Sequence, residues 1–410
     1  MKTLFCILYL AVGFVPYFGT IDKIGSQWFY LTIINSIFLF ISLSDRRYLS
    51  FLLECLKINY IRFYIIFVSF ALLSLFYSNN FTVSIVDISR IITTFIVFIN
   101  FSYLFFNSNL NLLKLSVIIS FILLFEITYA YFPLYEFLKH NSFLEIDFNT
   151  LPNALRGVTG NKNVFAADIV FKLPFVFFLI NHNKKSLIFF SLALSFISFF
   201  TLFLLSARAS LISLIIIFSL YIIYSFLNFS LKKISLSLLL SIFLAISVYL
   251  IESLPSNNLS LLSRANSIST NDDSTSYRII LWENAVDFIS NNPIIGCGIG
   301  NWKIESLPYW KDRLTGYTIP YHAHNDFLEI TTETGLFGGL SYLLIFITIF
   351  IICIRSIFKF KNYPSFMLLS ILIVYFIDGS LNFPLERALS QVNFAVLLCL
   401  TLLIYKNEKV

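Results

Sequence analysis

The hydrophobic positions of this chain fall into long unbroken runs rather than the short alternations of a sheet. Apolar stretches occur near 3–21, 28–43, 60–78, 83–106, 112–132, 164–181, 186–206, 210–228, 234–252, 336–354, 364–381 and 388–405. Each approaches the roughly 20 residues that a helix needs to cross a bilayer core. The pattern therefore predicts an all-α polytopic membrane protein with about 12 transmembrane helices. Every second connection is basic: Arg46, Arg47, Lys57 and Arg62, then Lys114, then Lys184 and Lys185, then Lys232 and Lys233, then Arg355, Lys359 and Lys361. Positively charged loops stay on the cytoplasmic side. With Lys2, Lys406 and Lys409 this predicts that both termini are cytoplasmic, and Asp45, Glu54 and Glu408 are the acidic residues expected there.

The chain then divides into five helices over 1–132, a first external loop over 133–163, four helices over 164–252, a long external loop over 253–335 and three helices over 336–410. The long loop opens on a Ser/Asn-rich stretch from Leu254 to Ser276, which reads as a flexible connection. From Tyr277 to Ile289, Leu281, Trp282, Ala285, Phe288 and Ile289 recur at helical spacing, while Glu283, Asn284 and Asp287 take the other side. That periodicity predicts an amphipathic helix lying at the membrane interface, with Ser274 or Ser276 as its N-cap. Asn291, Asn292 and Pro293 stop it. Gly296, Gly298 and Gly300 follow in GxGxG rather than GxGxxG spacing, with no strand–helix unit around them. Close backbone packing is the better reading than a dinucleotide site.

Composition narrows the class. The chain has 410 residues, 58% hydrophobic and 12% charged, with a mean hydropathy of +0.84, which excludes a water-soluble globular domain. A net charge of +6 is too diluted by apolar sequence to indicate nucleic-acid binding. Cys6, Cys55, Cys297, Cys353 and Cys399 have no CxxC spacing and imply neither a disulfide framework nor a zinc ribbon. The first apolar run lacks a small-x-small cleavage pattern and reads as a retained helix.

The densest polar cluster, His322-Ala-His324-Asn325-Asp-Phe-Leu-Glu329 with Glu333, sits where the long loop re-enters the membrane. A histidine there can accept a proton from a sugar hydroxyl near neutral pH, as a general base in glycosyl transfer must. Zinc on His322, His324 and Glu329 is a second reading, and loop packing with helix capping a third. External basic residues form the other constellation. Arg208, Arg278, Arg156 and Lys162 run against the charge bias of external loops and suit an anionic partner such as a lipid diphosphate; snorkelling to headgroups is the alternative. Inside the spans, Asp87 with Arg90 and Asp168 with Lys172 can pair along one helix, whereas Glu126 and Asp378 have no local partner. Such carboxylates keep a transporter in view as an alternative of a different class.

In order and spacing, several of these segments resemble the O-antigen ligase and polymerase superfamily. They are Arg278-Ile-Ile-Leu-Trp282, Asn292 to Asn301, His322 to Glu329 and Glu333-Thr-Gly335-Leu-Phe-Gly338, together with Arg156-Gly-Val-Thr-Gly-Asn-Lys162-Asn163 and Ser206-Ala-Arg208 upstream. The resemblance implies a GT-C-type glycosyltransferase in the bacterial inner membrane, with its site facing the periplasm. It implies a glycan on undecaprenyl diphosphate as donor and neither nucleotide, metal nor other cofactor. Carried over by position, Arg208 and Arg278 would hold the diphosphate and His324 would be the base. Arg156, Lys162, Asn163, His322, Asn325, Glu329 and Glu333 would support them. An alanine at 207, and two histidines where one is needed, are departures.

The expected reaction is a single in-line displacement with inversion at the anomeric carbon, needing no ATP, and the helix over 277–289 is a candidate lid. Among the branches, a ligase moving finished polymer to lipid A–core is taken as the leading reading. A polymerase acting on its own lipid carrier and a protein O-oligosaccharyltransferase are the alternatives.

Overall fold

The computed structural model describes residues 2–409 apart from 20–22, 44, 143–144, 229, 255–272 and 312–319. Among the described residues the structure is helical, without strands. The principal helices are α1 (Lys2–Leu10), α2 (Lys23–Ser42), α3 (Asn59–Leu73), α4 (Phe81–Phe106), α5 (Leu112–Ala130), α6 (Lys162–Ile180), α7 (Lys185–Leu205), α8 (Arg208–Leu227), α9 (Leu231–Glu252), α10 (Asp273–Asn291), α11 (Asp326–Phe360), α12 (Tyr363–Leu381) and α13 (Ala388–Lys409). Helices suit an apolar solvent because each backbone donor finds its acceptor within the segment. Asparagine side chains start several of them: Asn80, Asn111, Asn161, Asn325 and Asn362 each accept a first-turn N–H.

Eleven of these helices are long and apolar enough to cross a membrane, and the chain is a multi-pass membrane protein. The expected first span near 3–21 is shorter than foreseen: α1 is followed by a 3-10 turn, Ala11–Phe14, and then extended chain. It nevertheless runs most of the way through the bundle. The Lys2 ammonium donates to the Asn107 carbonyl (3.0 Å) at one end, and Gly13 lies against Val158 and Leu389 at the other. A buried polar network anchors it, with Tyr9 donating to Asn35 (2.7 Å), Asn100 donating to both, and Tyr48 donating to Asn100 (2.7 Å).

The two ends of the bundle differ in chemistry. At one end the basic connections are tied together: Lys232 donates to the His182 carbonyl (3.3 Å) and Lys359 to the Glu408 carbonyl (2.7 Å). Lys406 lies over Phe106 (4.7 Å) there and pairs with Glu54 (3.8 Å). Lys2 and Lys406 thus share this end. The opposite end gathers Glu386, Asn301, His322 and the arginines of the site.

Helices α6 and α13 are the innermost, with 83% and 89% of their apolar windows buried against 22% for α9 at the rim. Buried charge ties them to α5. Lys172 pairs with Asp168 (2.7 Å), as the i, i+4 spacing predicts, and also with Glu126. Asn393 of α13 donates to Asp168 (2.9 Å). Glu126 therefore has a partner that the sequence did not offer nearby, and Asp378 has one in Asn382, which donates to it at 2.7 Å. Removing the central cation leaves two carboxylates facing each other in an apolar interior. Lys172→Met is expected to destabilise the protein by about 3–5 kcal/mol, read as a lowered unfolding temperature in detergent. Wild-type stability would show that the triad contributes nothing.

Two connections contain more helix than expected. The segment 133–163 includes Phe132–Leu138, Leu151–Ala154 and a 3-10 turn at Gly157–Thr159. The return to the membrane begins at Asp326, not at 336, because Asn325 caps a helix there, accepting from Phe327 N–H (3.0 Å) and Leu328 N–H (3.1 Å). That helix is interrupted at Gly335 (φ 75°, ψ 176°), which frees backbone groups on both sides. The glycine-rich loop satisfies them. Cys297 N–H donates to Thr332 O (2.9 Å), Gly298 N–H to Glu333 O (2.8 Å), and Leu336 N–H to Pro293 O (2.8 Å). A Cβ on Gly296 would stand 2.6 Å from the Thr332 carbonyl oxygen, so the glycine spacing serves close backbone docking.

Helix α10 is longer than the predicted 277–289 and starts at Asp273, so Ser274 and Ser276 lie inside it rather than capping it. The Ser/Asn-rich stretch before it falls almost wholly outside the described residues. Its inner face carries Leu281 and Ala285, both buried, with Phe288 beside Trp302. Asn284, expected on the polar face, is 9% exposed because it shares the face of Leu281 and Phe288 three and four positions away.

Candidate functional site

Three chain turns at the non-basic end bring the candidate residues together. Helix α7 ends at Ser206, which adopts left-handed geometry (φ 53°), and after Ala207 helix α8 begins at once with Arg208. Asn161 starts α6 by accepting from Asn163 N–H (2.9 Å) and Val164 N–H, setting Lys162 and Asn163 in its first turn. Helix α10 brings Arg278. Lys162, Asn163, Ser206, Arg208, Arg278 and Asn382 line one cavity of about 220 Å³. Among the described residues no carboxylate lines it. Two helix N-termini, those of α6 and α8, end at this cavity, adding positive dipole ends to three cationic side chains, and α8 has no side-chain cap on its first-turn N–H groups. Burial first, then the neighbouring Arg208, lowers the pKa of Arg278 from its ordinary value. Among the described residues the lining is cationic and polar.

The two histidines have different surroundings. His322 accepts or donates at Nδ1 with Glu329 Oε1 (2.8 Å), and Glu329 Oε2 also accepts from Ala323 N–H (2.8 Å). Burial alone would lower the His322 pKa, but attraction to Glu329 and their hydrogen bond, with Glu386 further off, outweigh burial and Lys303 and raise it. His324 directly precedes the cap and takes left-handed geometry (φ 52°), uncommon for a side chain of its size. Its Nδ1 is buried with no hydrogen-bond partner. Burial, then the charges of Arg278, His322 and Arg387, lower its pKa to about 4. His324 is therefore neutral at neutral pH, with a lone pair free.

Phe383, in the turn between α12 and α13, joins the groups. The His322 ring stacks on it at 4.2 Å, the His324 ring meets it edge-on at 5.0 Å, and the Arg387 guanidinium carbon lies 4.1 Å from its centroid.

Of the sequence-predicted residues, Arg208, Arg278, Lys162 and Asn163 share the cavity, and Arg278 is close enough to act on His324. Others take different places. Asn325 is occupied as a helix cap. Glu329 orients His322 rather than His324. Glu333 is buried and accepts from Trp302 N–H (3.2 Å), holding the glycine-rich loop. Arg156 is exposed outside the cavity, its Nε donating to the Asn153 carbonyl (2.5 Å). Among the described residues, no three His, Cys, Asp or Glu side chains converge as metal ligands, so His322, His324 and Glu329 do not form the zinc triad considered from the sequence. Asn382, Phe383, Glu386 and Arg387 were missed. The signal for them was a short turn, Asn-Phe-Pro-Leu-Glu-Arg, too polar and aromatic for a plain connection between spans.

Residues 193–343 match the family described as O-antigen ligase. The chain is also 24% identical over 102 residues to the exopolysaccharide production protein ExoQ of Rhizobium meliloti (strain 1021), a stretch covering 24% of this chain and 23% of that relative. The chain thus matches about a quarter of that curated relative's length. The matched family segment contains Arg208, Arg278, both histidines and the glycine-rich loop.

Proposed function

We propose that this protein is a GT-C-type O-antigen ligase of the bacterial inner membrane, with both termini cytoplasmic and its site facing the periplasm. It transfers a polysaccharide from undecaprenyl diphosphate to a sugar hydroxyl of lipid A–core. The observation that carries this reading is the convergence of Lys162, Arg208, Arg278 and two helix N-termini on one cavity beside a neutral histidine. In the proposed step His324 accepts the proton of the acceptor hydroxyl as that oxygen attacks the anomeric carbon. The bond from that carbon to the diphosphate oxygen breaks, and the arginines stabilise the leaving group as its charge grows. Attack from the opposite face inverts the anomeric centre.

The low pKa of His324 fits this sequence of events. Without donor, burial and then the charges of Arg278, His322 and Arg387 keep the histidine neutral but a weak base. A bound diphosphate offsets the arginine charge and moves the pKa back up toward its ordinary value, so that the base strengthens when the donor is in place. A base works only when deprotonated, so its pKa sets an acid limb. The limb of kcat/KM for the donor, which follows free enzyme, is expected near pH 4. That of kcat/KM for the acceptor at saturating donor should lie at higher pH. Coincident limbs would remove donor-dependent strengthening.

Membranes of a host deleted for the gene distinguish the branches. Long glycan left on the carrier beside bare lipid A–core, restored by the wild-type gene, supports a ligase. Single repeat units on carrier and core would make the protein a polymerase.

A further inference from the structure

A second cavity, about 260 Å³, lies on the other side of the Asn161–Asn163 and Asn382–Phe383 segments, lined by Tyr17, Lys23, Gln27, Asn161, Phe383 and Arg387 among others. It abuts the diphosphate cavity closely: Asn161 lines one and Lys162 and Asn163 the other, Phe383 one and Asn382 the other. Arg387 is the unusual member. It is only 8% exposed, yet among the described residues its guanidinium donates no hydrogen bond and has no carboxylate within ion-pair distance, and its Nη1 is fully buried without a partner. A buried five-donor fork left this way is unfavourable in a protein that needs it only for folding. Burial lowers its pKa, with Asp378, Asp326 and Glu386 opposing from further away. The second cation, Lys23, donates to the Val158 carbonyl (3.3 Å) and lies over Tyr17 (5.3 Å). Among the described residues no acidic side chain lines the cavity.

We propose that this cavity is the acceptor subsite, and that Arg387 with Lys23 binds an anionic substituent, phosphate or carboxylate, on the acceptor sugar. The assignment rests on the transferase reading above. Its geometry follows from Phe383, whose ring carries Arg387 and both histidines, so that a sugar held by Arg387 presents a hydroxyl toward His324. Tyr17 offers an aromatic ring to the pyranose, and Gln27 and the Asn161 amide nitrogen offer hydrogen bonds to its hydroxyls.

Binding to the purified full chain in lipid nanodiscs tests this with glucose 6-phosphate, galacturonate, methyl glucoside and farnesyl diphosphate as probes. At least one acidic sugar should bind wild type at least tenfold more tightly than methyl glucoside. Arg387→Gln should weaken that binding tenfold or more and change farnesyl diphosphate binding less than threefold, and Arg278→Gln should do the reverse. Preference for glucose 6-phosphate or for galacturonate identifies the substituent. Equal binding of the neutral sugar, no binding of either acid, or loss of farnesyl diphosphate in Arg387→Gln would overturn the proposal. Unfolding temperature guards against a structural role. Arg387→Gln should hold or raise it, and a drop of many degrees that Arg387→Lys restores would make the buried positive charge a fold element and end the proposal. Acidic sugars bound through Arg387 with no farnesyl diphosphate binding would sink the donor site while leaving this one standing.

Discussion

Replacing His324 with asparagine is expected to lower glycan transfer by about 10²–10⁴-fold, the usual contribution of a positioned general base, with little loss of stability. Asparagine is chosen because it tolerates the left-handed backbone that His324 adopts, so the variant removes the base without adding strain. His322→Asn is the informative companion. His322 is held by Glu329 and stacked on Phe383, the ring that His324 also touches. Its loss should loosen the placement of His324 and cost roughly tenfold. The measurement is initial rate of transfer with solubilised enzyme and lipid-linked donor, alongside unfolding temperature. If His322→Asn were the more damaging change at unaltered stability, the Glu329–His322 pair would be the base and His324 a packing residue.

Loss of the two arginines should be nearly as severe. Each of Arg208→Ala and Arg278→Ala removes charge from where the leaving diphosphate develops its own, and each is expected to reduce kcat by about 10²–10³-fold. The double variant should fall well short of the product of the two, because both side chains line one cavity and each lowers what the other can contribute. Lysine at either position keeps the charge but loses the planar fork and should restore only part of the rate. The opposite result, activity retained in both alanine variants, would assign the arginines to phospholipid headgroups. Removal of these like charges should also raise the His324 pKa, since Arg278 contributes to lowering it. In Arg278→Ala the acid limb for the donor is therefore expected above its wild-type position near pH 4, a readout that a merely structural arginine would not move.

Much of the fold could be read along the chain because the forces that set it are local. A run such as 187–205 has no charged side chain, and its Ser191, Ser195 and Thr201 hydroxyls donate to carbonyls one turn back, so its low-energy form in a bilayer is a helix that satisfies its own backbone polar groups. The basic residues of alternate connections meet at one end of the bundle for an equally simple reason, since each span reverses the direction of the chain. The pairing of Asp168 with Lys172 and the docking role of the glycine-rich loop were legible for the same cause: partners a few residues apart, or glycines that admit a second backbone. The arginines and the His-Ala-His-Asn cluster stood out because charge and imidazole are conspicuous beside apolar spans.

Distances across the sequence decided the rest. Glu126 and Lys172 are 46 positions apart, and only the packing of α5 on α6 makes them a pair. Asn284 followed the polar pattern of its helix but is buried, since which face of α10 turns inward is set by the docking of α11 and the Trp302 segment. The different surroundings of the two histidines also belonged to the tertiary structure. His322 and Glu329 come together around the start of α11, while the turn after α12 puts Phe383 against both rings and Arg387 against Phe383. Sequence by itself determined that this chain crosses a membrane many times and which residues could carry charge or protons, because hydropathy and ionisation are properties of single residues and short runs. Tertiary structure alone decided which of those groups share a cavity and how strongly each holds its proton, because desolvation and Coulomb forces act through space over a few ångströms, irrespective of separation along the chain.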